Sequence, residues 1–293
     1  MEKHLDMQSV KIRDPFILVA NGKYYLYSNN MNDQVNDGGV YYQTSTDLVN
    51  WSEPILCLPK SEAKNPEKNV YWAPECHYYK GNYYIFTSVY SSVLKHRCIS
   101  VYKADKPEGP FKEICGGSIT PTDWDAIDGT LFVDKNGDPY MVFVHEWTCM
   151  PGHNGSMVYA KLSEDFTHFV TEPKHMFFAK DPTWATSGVT DGPFLFYNKK
   201  GELKMLWSNF CKDGYAVAIA DSKTNTIDGP WTPRNELIYY RGKKPSYIYD
   251  GGHPMMFTDL DGNRRITFHT PNGGVEGVSE HLAIFDYDEL LSE

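Results

Sequence analysis

The stretch Thr190-Asp191-Gly192-Pro193-Phe194-Leu195-Phe196-Tyr197-Asn198-Lys199-Lys200-Gly201-Glu202-Leu203-Lys204-Met205-Leu206-Trp207-Ser208 decides the fold. It opens on an acidic residue beside Gly and Pro, runs into an apolar strand, turns at Lys200-Gly201 and returns as alternating aromatic, aliphatic and polar residues. Two such runs joined by a short glycine-bearing turn are the signature of a β-hairpin. The same grammar recurs in Arg13-Asp14-Pro15-Phe16 to Tyr27-Ser28, Ala73-Pro74-Glu75 to Thr87-Ser88, Ile127-Asp128-Gly129 to His145-Glu146-Trp147, and Asp250-Gly251-Gly252-His253 to His269-Thr270. The remaining turns carry Asn21-Gly22, Lys80-Gly81, Asn136-Gly137 and Asp261-Gly262.

The lead residues Asp14, Glu75, Asp128, Asp191 and His253 repeat at close to a fifth of the 293-residue chain. A third alternating strand follows each hairpin, at Val40–Ser45, Ile99–Ala104, Met157–Ala160, Tyr215–Ala220 and Leu282–Phe285. Polar stretches such as Gly109-Pro110-Phe111 and Gly229-Pro230-Trp231 then lead towards an outermost strand, as at Trp51-Ser52-Glu53-Pro54. Short antiparallel strands in five like units, with no convincing helical period, predict an all-β, five-bladed β-propeller spanning residues 1–293 as one domain. A sandwich or barrel would leave the spacing a coincidence. Radial repetition brings the strand starts together at one end of a central channel, where chemistry needs them.

Composition narrows the function. With 41% hydrophobic, 15% aromatic and 23% charged residues, the chain can bury a sizeable core. A formal charge of -10 and no run of Lys or Arg argue against a nucleic-acid partner. No apolar segment approaches membrane-spanning length, so no membrane partner is expected. The start Met1-Glu2-Lys3-His4 leads into no apolar signal region. The location expected is cytoplasmic if Met1 is the native start, and secreted or periplasmic after signal removal otherwise. The six cysteines, Cys57, Cys76, Cys98, Cys115, Cys149 and Cys211, show no metal-site spacing and read as reduced core residues.

Three aspartates, Asp14, Asp128 and Asp191, open different blades. Paired carboxylates at a shared mouth suit glycoside hydrolysis with inversion, in which one acid protonates the leaving oxygen and one base activates water. A third carboxylate beside the acid raises its pKa by like-charge repulsion. Each Asp, taken singly, also reads as a turn residue. Glu146 and Glu75 are reserve acids, Glu75 the more readily explained as ordering the Trp72-Ala73-Pro74 turn. Trp72 and Trp147 suit sugar stacking, whereas Phe16 and Phe194 suit the core. Trp124 stands close before Asp128, and Arg265 and Asn272 are candidate donors to sugar hydroxyls. No nucleophile elbow, P-loop, dinucleotide fingerprint or His-Glu-x-x-His motif is present.

Taken together, Arg13-Asp14-Pro15-Phe16, Tyr71-Trp72-Ala73-Pro74-Glu75, Ile127-Asp128-Gly129-Thr130-Leu131-Phe132, Thr190-Asp191-Gly192-Pro193-Phe194 and Gly251-Gly252-His253 resemble the family 43 glycoside hydrolases along essentially the whole chain. The resemblance implies Asp14 as general base, Asp128 as modulator of the acid, and Asp191 as the acid. Family members more often carry Glu in a Glu-Gly-Pro sequence there, and Asp191 is one methylene shorter. The resemblance also implies His253 near the channel axis, bound to a water or a hydrated structural calcium or sodium ion, with no cofactor required; one histidine is no metal site, and a residue hydrogen-bonded within the channel or binding substrate is the competing reading. The implied substrates are oligosaccharides or polysaccharides of the plant cell wall with α-L-arabinofuranosyl or β-D-xylosyl linkages. A sugar-binding propeller that has lost catalysis is the alternative, and a protein-interaction scaffold is disfavoured by the absence of WD or kelch signatures. Insertions at Asp33 to Gly39, Ser61 to Asn69 and Cys149 to Ser156 would close one end of a cleft and mildly favour exo action.

Overall fold

The computed structural model describes residues 4–29, 38–64 and 66–291. The first strand, β1 (His4–Lys11), is set aside by the chain and used last. Blade I follows as β2 (Phe16–Ala20), β3 (Lys23–Ser28), β4 (Val40–Ser45) and β5 (Ile55–Leu58). Blade II is β6 (Pro66–Tyr79), β7 (Asn82–Ser91), β8 (His96–Ala104) and β9 (Lys112–Glu113). Blade III is β10 (Ala126–Val133), β11 (Pro139–His145), β12 (Ser156–Lys161) and β13 (Lys174–Phe178). Blade IV is β14 (Asp191–Tyr197), β15 (Leu203–Cys211), β16 (Gly214–Ser222) and β17 (Trp231–Tyr239). Blade V comprises β18 (Gly252–Thr258), β19 (Arg264–Thr270) and β20 (His281–Asp286), and β1 pairs antiparallel with β20 as its outermost strand. The expected five-bladed propeller is therefore present, and its ring is closed by a strand that sequence reading did not find. Among the described residues, no helix is long and apolar enough to cross a membrane.

The hairpin turns follow from their residues in two ways. Asn21-Gly22 and Lys80-Gly81 have positive φ at both positions and link strands paired from Ala20 to Lys23 and from Tyr79 to Asn82. That is the two-residue turn whose twist matches the flanking strands. Blades III, IV and V use a longer turn built on one side-chain oxygen. Asp134 Oδ1 accepts the N–H groups of Asn136 and Asp138, Asn198 Oδ1 those of Lys200 and Glu202, and Asp259 Oδ1 those of Asp261 and Asn263. Each is an Asx turn ending in a left-handed glycine.

Five apolar clusters lie one at each blade interface. Tyr27 and Tyr71 join blades I and II, Phe86 and Phe143 blades II and III, and Met157 and Trp207 blades III and IV. Phe268 and Leu206 join blades IV and V, and Leu26 and Leu282 blades V and I. The bulky aromatics fill the wedge that widens outward between radially arranged sheets. Cys57, Cys76, Cys98 and Cys211 are buried in this packing, Cys115 is half-buried, and all six thiols are free. Cys149 departs from the expectation: it is exposed in the loop after β11, its thiol directed at the carbonyls of Asp125 and Glu146.

Candidate active site

The five blades share one backbone device on the innermost strand or, in blade I, just before it. Asp14, Ala73, Asp128, Gly192 and His253 all have positive φ, at 49°, 43°, 55°, 54° and 60°. In blades II to V this residue sits inside a bulge where the pairing of the innermost strand with its neighbour skips a step. A left-handed residue in a bulge swings its side chain off the sheet plane, here towards the channel. The equivalent residues in blades II and IV are thus Ala73 and Gly192, not Glu75 and Asp191 as the repeat in sequence implied. Asp191 stands one position earlier and Glu75 two later.

A polar side chain from the second strand of the preceding blade fixes several of these starts. The N–H of Asp128 donates to Ser88 Oγ at 3.0 Å, that of His253 to Ser208 Oγ at 2.9 Å, and that of Asp14 to His269 Nδ1 at 3.2 Å. Val144 occupies the corresponding place in blade III and has nothing to offer. The Gly192 N–H donates instead to Asp128 Oδ2 at 3.0 Å. Asp128 therefore holds the start of blade IV with its own carboxylate.

Asp14, Asp128 and His253 line a pocket of about 570 Å³ together with Arg13, Glu146 and Asp191. All three sequence-predicted aspartates are together. His253 Nδ1 lies 3.3 Å from Asp14 Oδ1 and 3.7 Å from Asp128 Oδ2. Arg13 Nε is 3.6 Å from Asp14 Oδ2, and Arg13 also pairs with Glu280. Asp191 Oδ2 accepts a hydrogen bond of 2.8 Å from the hydroxyl of Tyr215, a residue that the sequence reading placed only at the start of an alternating strand.

The environment divides the carboxylates. Burial pushes the Asp14 carboxyl up, but His253, then His269 and Arg13, outweigh it and hold it below the ordinary aspartate range. Burial lifts Asp128, opposed by His253 and reinforced by the charge of Asp14. Burial and the neighbouring Asp128 charge push Asp191 up to about 8, against the pulls of His253 and of the Tyr215 hydrogen bond. Burial alone would lower His253, yet the surrounding carboxylates, Asp14 first, raise it. His269 is lowered by burial, which fits a neutral ring accepting from the Asp14 N–H and donating through Nε2 to Asn272 Oδ1. At neutral pH these surroundings thus favour the ionised form of Asp14 and the protonated form of Asp191.

The remaining candidates separate. Glu146 lines the pocket, accepts a hydrogen bond from Thr148, and is raised chiefly by burial. Glu75 does not line it; buried well inside its strand, it pairs with His77 Nε2 at 2.9 Å, outside the pocket in which a reserve acid would be needed. Trp72 and Trp147 both line the pocket, and the Arg97 guanidinium covers one face of Trp72 at 3.1 Å from the ring centroid. Asn272 lines the pocket as well. Trp124 instead stacks on His145 away from it, and Arg265 is spent on Asp259 and Asp286 at another opening of the molecule. Phe16 and Phe194 pack towards each other in the core, as expected.

Of the three insertions, positions 33–37 of the first and position 65 of the second lie outside the described residues, and Gly38 lines the pocket. The third folds as a short 3-10 turn at Pro151–His153. Among the described residues no three His, Cys, Asp or Glu side chains converge as a metal cage. His253 directs its Nδ1 to two carboxylates, which raise its pKa and favour its positively charged form there.

Comparison with known proteins matches the geometry. The chain superposes on the crystal structure of an endo-arabinase from Bacteroides thetaiotaomicron VPI-5482 with a TM-score of 0.82, 32% identity and 96% coverage of both chains. It is 26% identical over 285 residues to the extracellular exo-alpha-(1->5)-L-arabinofuranosidase ArbA of Cellvibrio japonicus, covering 88% of this chain and 73% of that protein. It is 22% identical over 290 residues to the extracellular endo-alpha-(1->5)-L-arabinanase 2 of Bacillus subtilis, covering 90% of this chain but only 59% of that longer protein. With the glycosyl hydrolases family 43 model matching residues 7–286, nearly its whole length, the chain belongs to that family.

Proposed function

We propose that this propeller hydrolyses α-L-arabinofuranosyl linkages of plant cell-wall polysaccharides or their oligosaccharides, with inversion at the anomeric carbon. The observation that carries the reading is the convergence of Asp14, Asp128 and Asp191 in one pocket, whose surroundings lower the pKa of Asp14 and raise that of Asp191. Asp14 takes a proton from water as the water oxygen bonds to the anomeric carbon. Asp191 gives its proton to the departing glycosidic oxygen as that carbon–oxygen bond breaks. Asp128 sets the start of the acid's strand through Gly192, and its charge keeps the proton on Asp191. Trp72 and Trp147 offer ring surface to the sugar. The linkage follows from the names of the relatives, two of which are also named as extracellular, and the same machinery suits β-D-xylosides. A location outside the cytoplasm is proposed on the same ground.

The test is sugar release from nitrophenyl arabinofuranosides, xylosides and galactosides and from linear arabinan, by the intact chain and by Asp14→Ala and Asp191→Ala. Loss of pentosidase activity in both variants supports the roles given. Survival after Asp191→Ala moves the acid to Glu146. Inactivity on every substrate with sugar still bound supports a binding propeller instead.

A further inference from the structure

Asp191 is one methylene shorter than the glutamate more often found at its position in the family, so something else must hold its carboxyl where a leaving group can reach it. Tyr215, the second residue of β16, is nearly fully buried and directs its hydroxyl at Asp191 Oδ2 from 2.8 Å. It also lines the pocket. We infer that Tyr215 is a positioning residue for the general acid, fixing one carboxyl oxygen of Asp191 so that the other presents the transferable proton to the glycosidic oxygen. This inference rests on the assignment of Asp191 as the acid.

Three features make Tyr215 a rigid donor. Its own N–H donates to Asp250 Oδ2 at 2.9 Å, while Asp250 Oδ1 accepts the N–H of Asn272 at 3.1 Å. The backbone of Tyr215 is thereby tied to the segment that carries a pocket residue. Its ring lies against Gly252, where any Cβ would collide with it, and stacks at 24° on His269 with centroids 5.9 Å apart. The adjoining turn has the same economy of space: a Cβ on Gly214, at φ 112°, would come within 2.6 Å of Asp250 Oδ2. Burial and the nearby carboxylates raise the phenol well above its ordinary range, so it stays a donor through the working pH range. Since Oδ2 accepts from the phenol, the acid's proton sits on Oδ1. Proton transfer then leaves a carboxylate whose Oδ2 is already hydrogen-bonded, and the charge that appears in the transition state meets a donor in place.

The experiment compares Tyr215→Phe and Asp191→Asn with the intact chain on two substrates of the sugar selected above. One is the 4-nitrophenyl glycoside, whose leaving group needs little protonation; the other is a linear oligosaccharide, whose leaving alcohol needs it fully. Tyr215→Phe is expected to lower kcat on the oligosaccharide by about 10- to 100-fold, the scale of a lost hydrogen bond to a charged group, while changing the nitrophenyl rate by less than about 3-fold. The alkaline limb of its pH profile should also move to higher pH, because the lost hydrogen bond was lowering the acid's pKa. Equal losses on both substrates with an unmoved limb, or no loss at all, would overturn the positioning role. Gly252→Ala, whose Cβ would displace the ring and also press on Ser208 Oγ, should reproduce the leaving-group signature and serves if Tyr215→Phe fails to fold. Should Asp191→Asn retain full activity on the oligosaccharide, the acid assignment itself fails and Tyr215 falls with it; an inactive Asp191→Asn beside a fully active Tyr215→Phe rejects Tyr215 alone.

Discussion

His253 Nδ1 lies 3.3 Å from Asp14 Oδ1, joining the left-handed residue of the fifth blade to that of the first across the channel. Of the groups that lower Asp14 against the effect of burial, His253 is the strongest. Replacing it by Gln removes that cation, so the Asp14 pKa must rise and the base is lost earlier on acidification. The acidic limb of kcat/KM should move up by about one pH unit or more, the scale of a lost ion pair. A pH–rate profile of His253→Gln checks this, and an unmoved limb would show that other groups hold Asp14 ionised.

Asp191 affects stability with the opposite sign. Its folded pKa of about 8 lies above the ordinary value of 3.8, at which the unfolded chain ionises. Across that window the unfolded state has released a proton that the folded state retains, so stability falls as pH rises towards 8 and levels beyond it. Asp191→Asn abolishes this dependence while keeping an oxygen for Tyr215. Its melting temperature should exceed that of the intact chain by about 3–6 °C at pH 8 and by much less at pH 5. Parallel melts at the two pH values decide it; equal shifts would count against a buried, protonated Asp191.

Gly192 has two reasons to be glycine. At φ 54° a side chain is strained, and its Cβ would stand 2.8 Å from His253 Cα. Gly192→Ala should cost about 1–3 kcal/mol from backbone strain alone. Because the clash falls on His253 and the Gly192 N–H is the anchor for Asp128, kcat should fall with stability. Chemical denaturation and kinetics on one preparation test the pairing of the two losses.

Hairpins, turns and repeat spacing were legible because each is local: a glycine turn between alternating strands declares itself within twenty residues. The three aspartates were legible because Asp-Gly and Asp-Pro mark the strand starts. The exact correspondence between blades was not. Positive φ leaves no mark on Ala73, and Gly192 reads as an ordinary turn residue, so Glu75 and Asp191 took their places in the repeat. Tyr215 was hidden because, within an alternating strand, a tyrosine that reaches the pocket looks like one that fills the core. Strand β1 was hidden because its partner, β20, lies at the other end of the sequence.

Strand β1 covers the edge of β20 and adds Val10 to the cluster between blades V and I. Asp6 also pairs with the buried ring of His281. A chain lacking residues 1–11 should melt lower by about 5 °C or more and aggregate through the bared edge. Calorimetry and light scattering report the two effects. A truncated chain as stable and monodisperse as the intact one would reduce β1 to an ornament of the fold.

Closure by β1 has a consequence for synthesis. Asp14 leaves the ribosome near the beginning of translation, while His253, the strongest of the groups that hold it ionised, is among the last residues made. Until it arrives, Asp14 has only its neighbour Arg13 as a cation and lacks its strongest partner, so the first blade has an electrostatic reason to stay open to water. Only when blade V docks beside blade I does the carboxylate gain its partners and the cleft its ionised base. Catalytic competence in a nascent chain should therefore switch on abruptly with the final blade, not accumulate blade by blade.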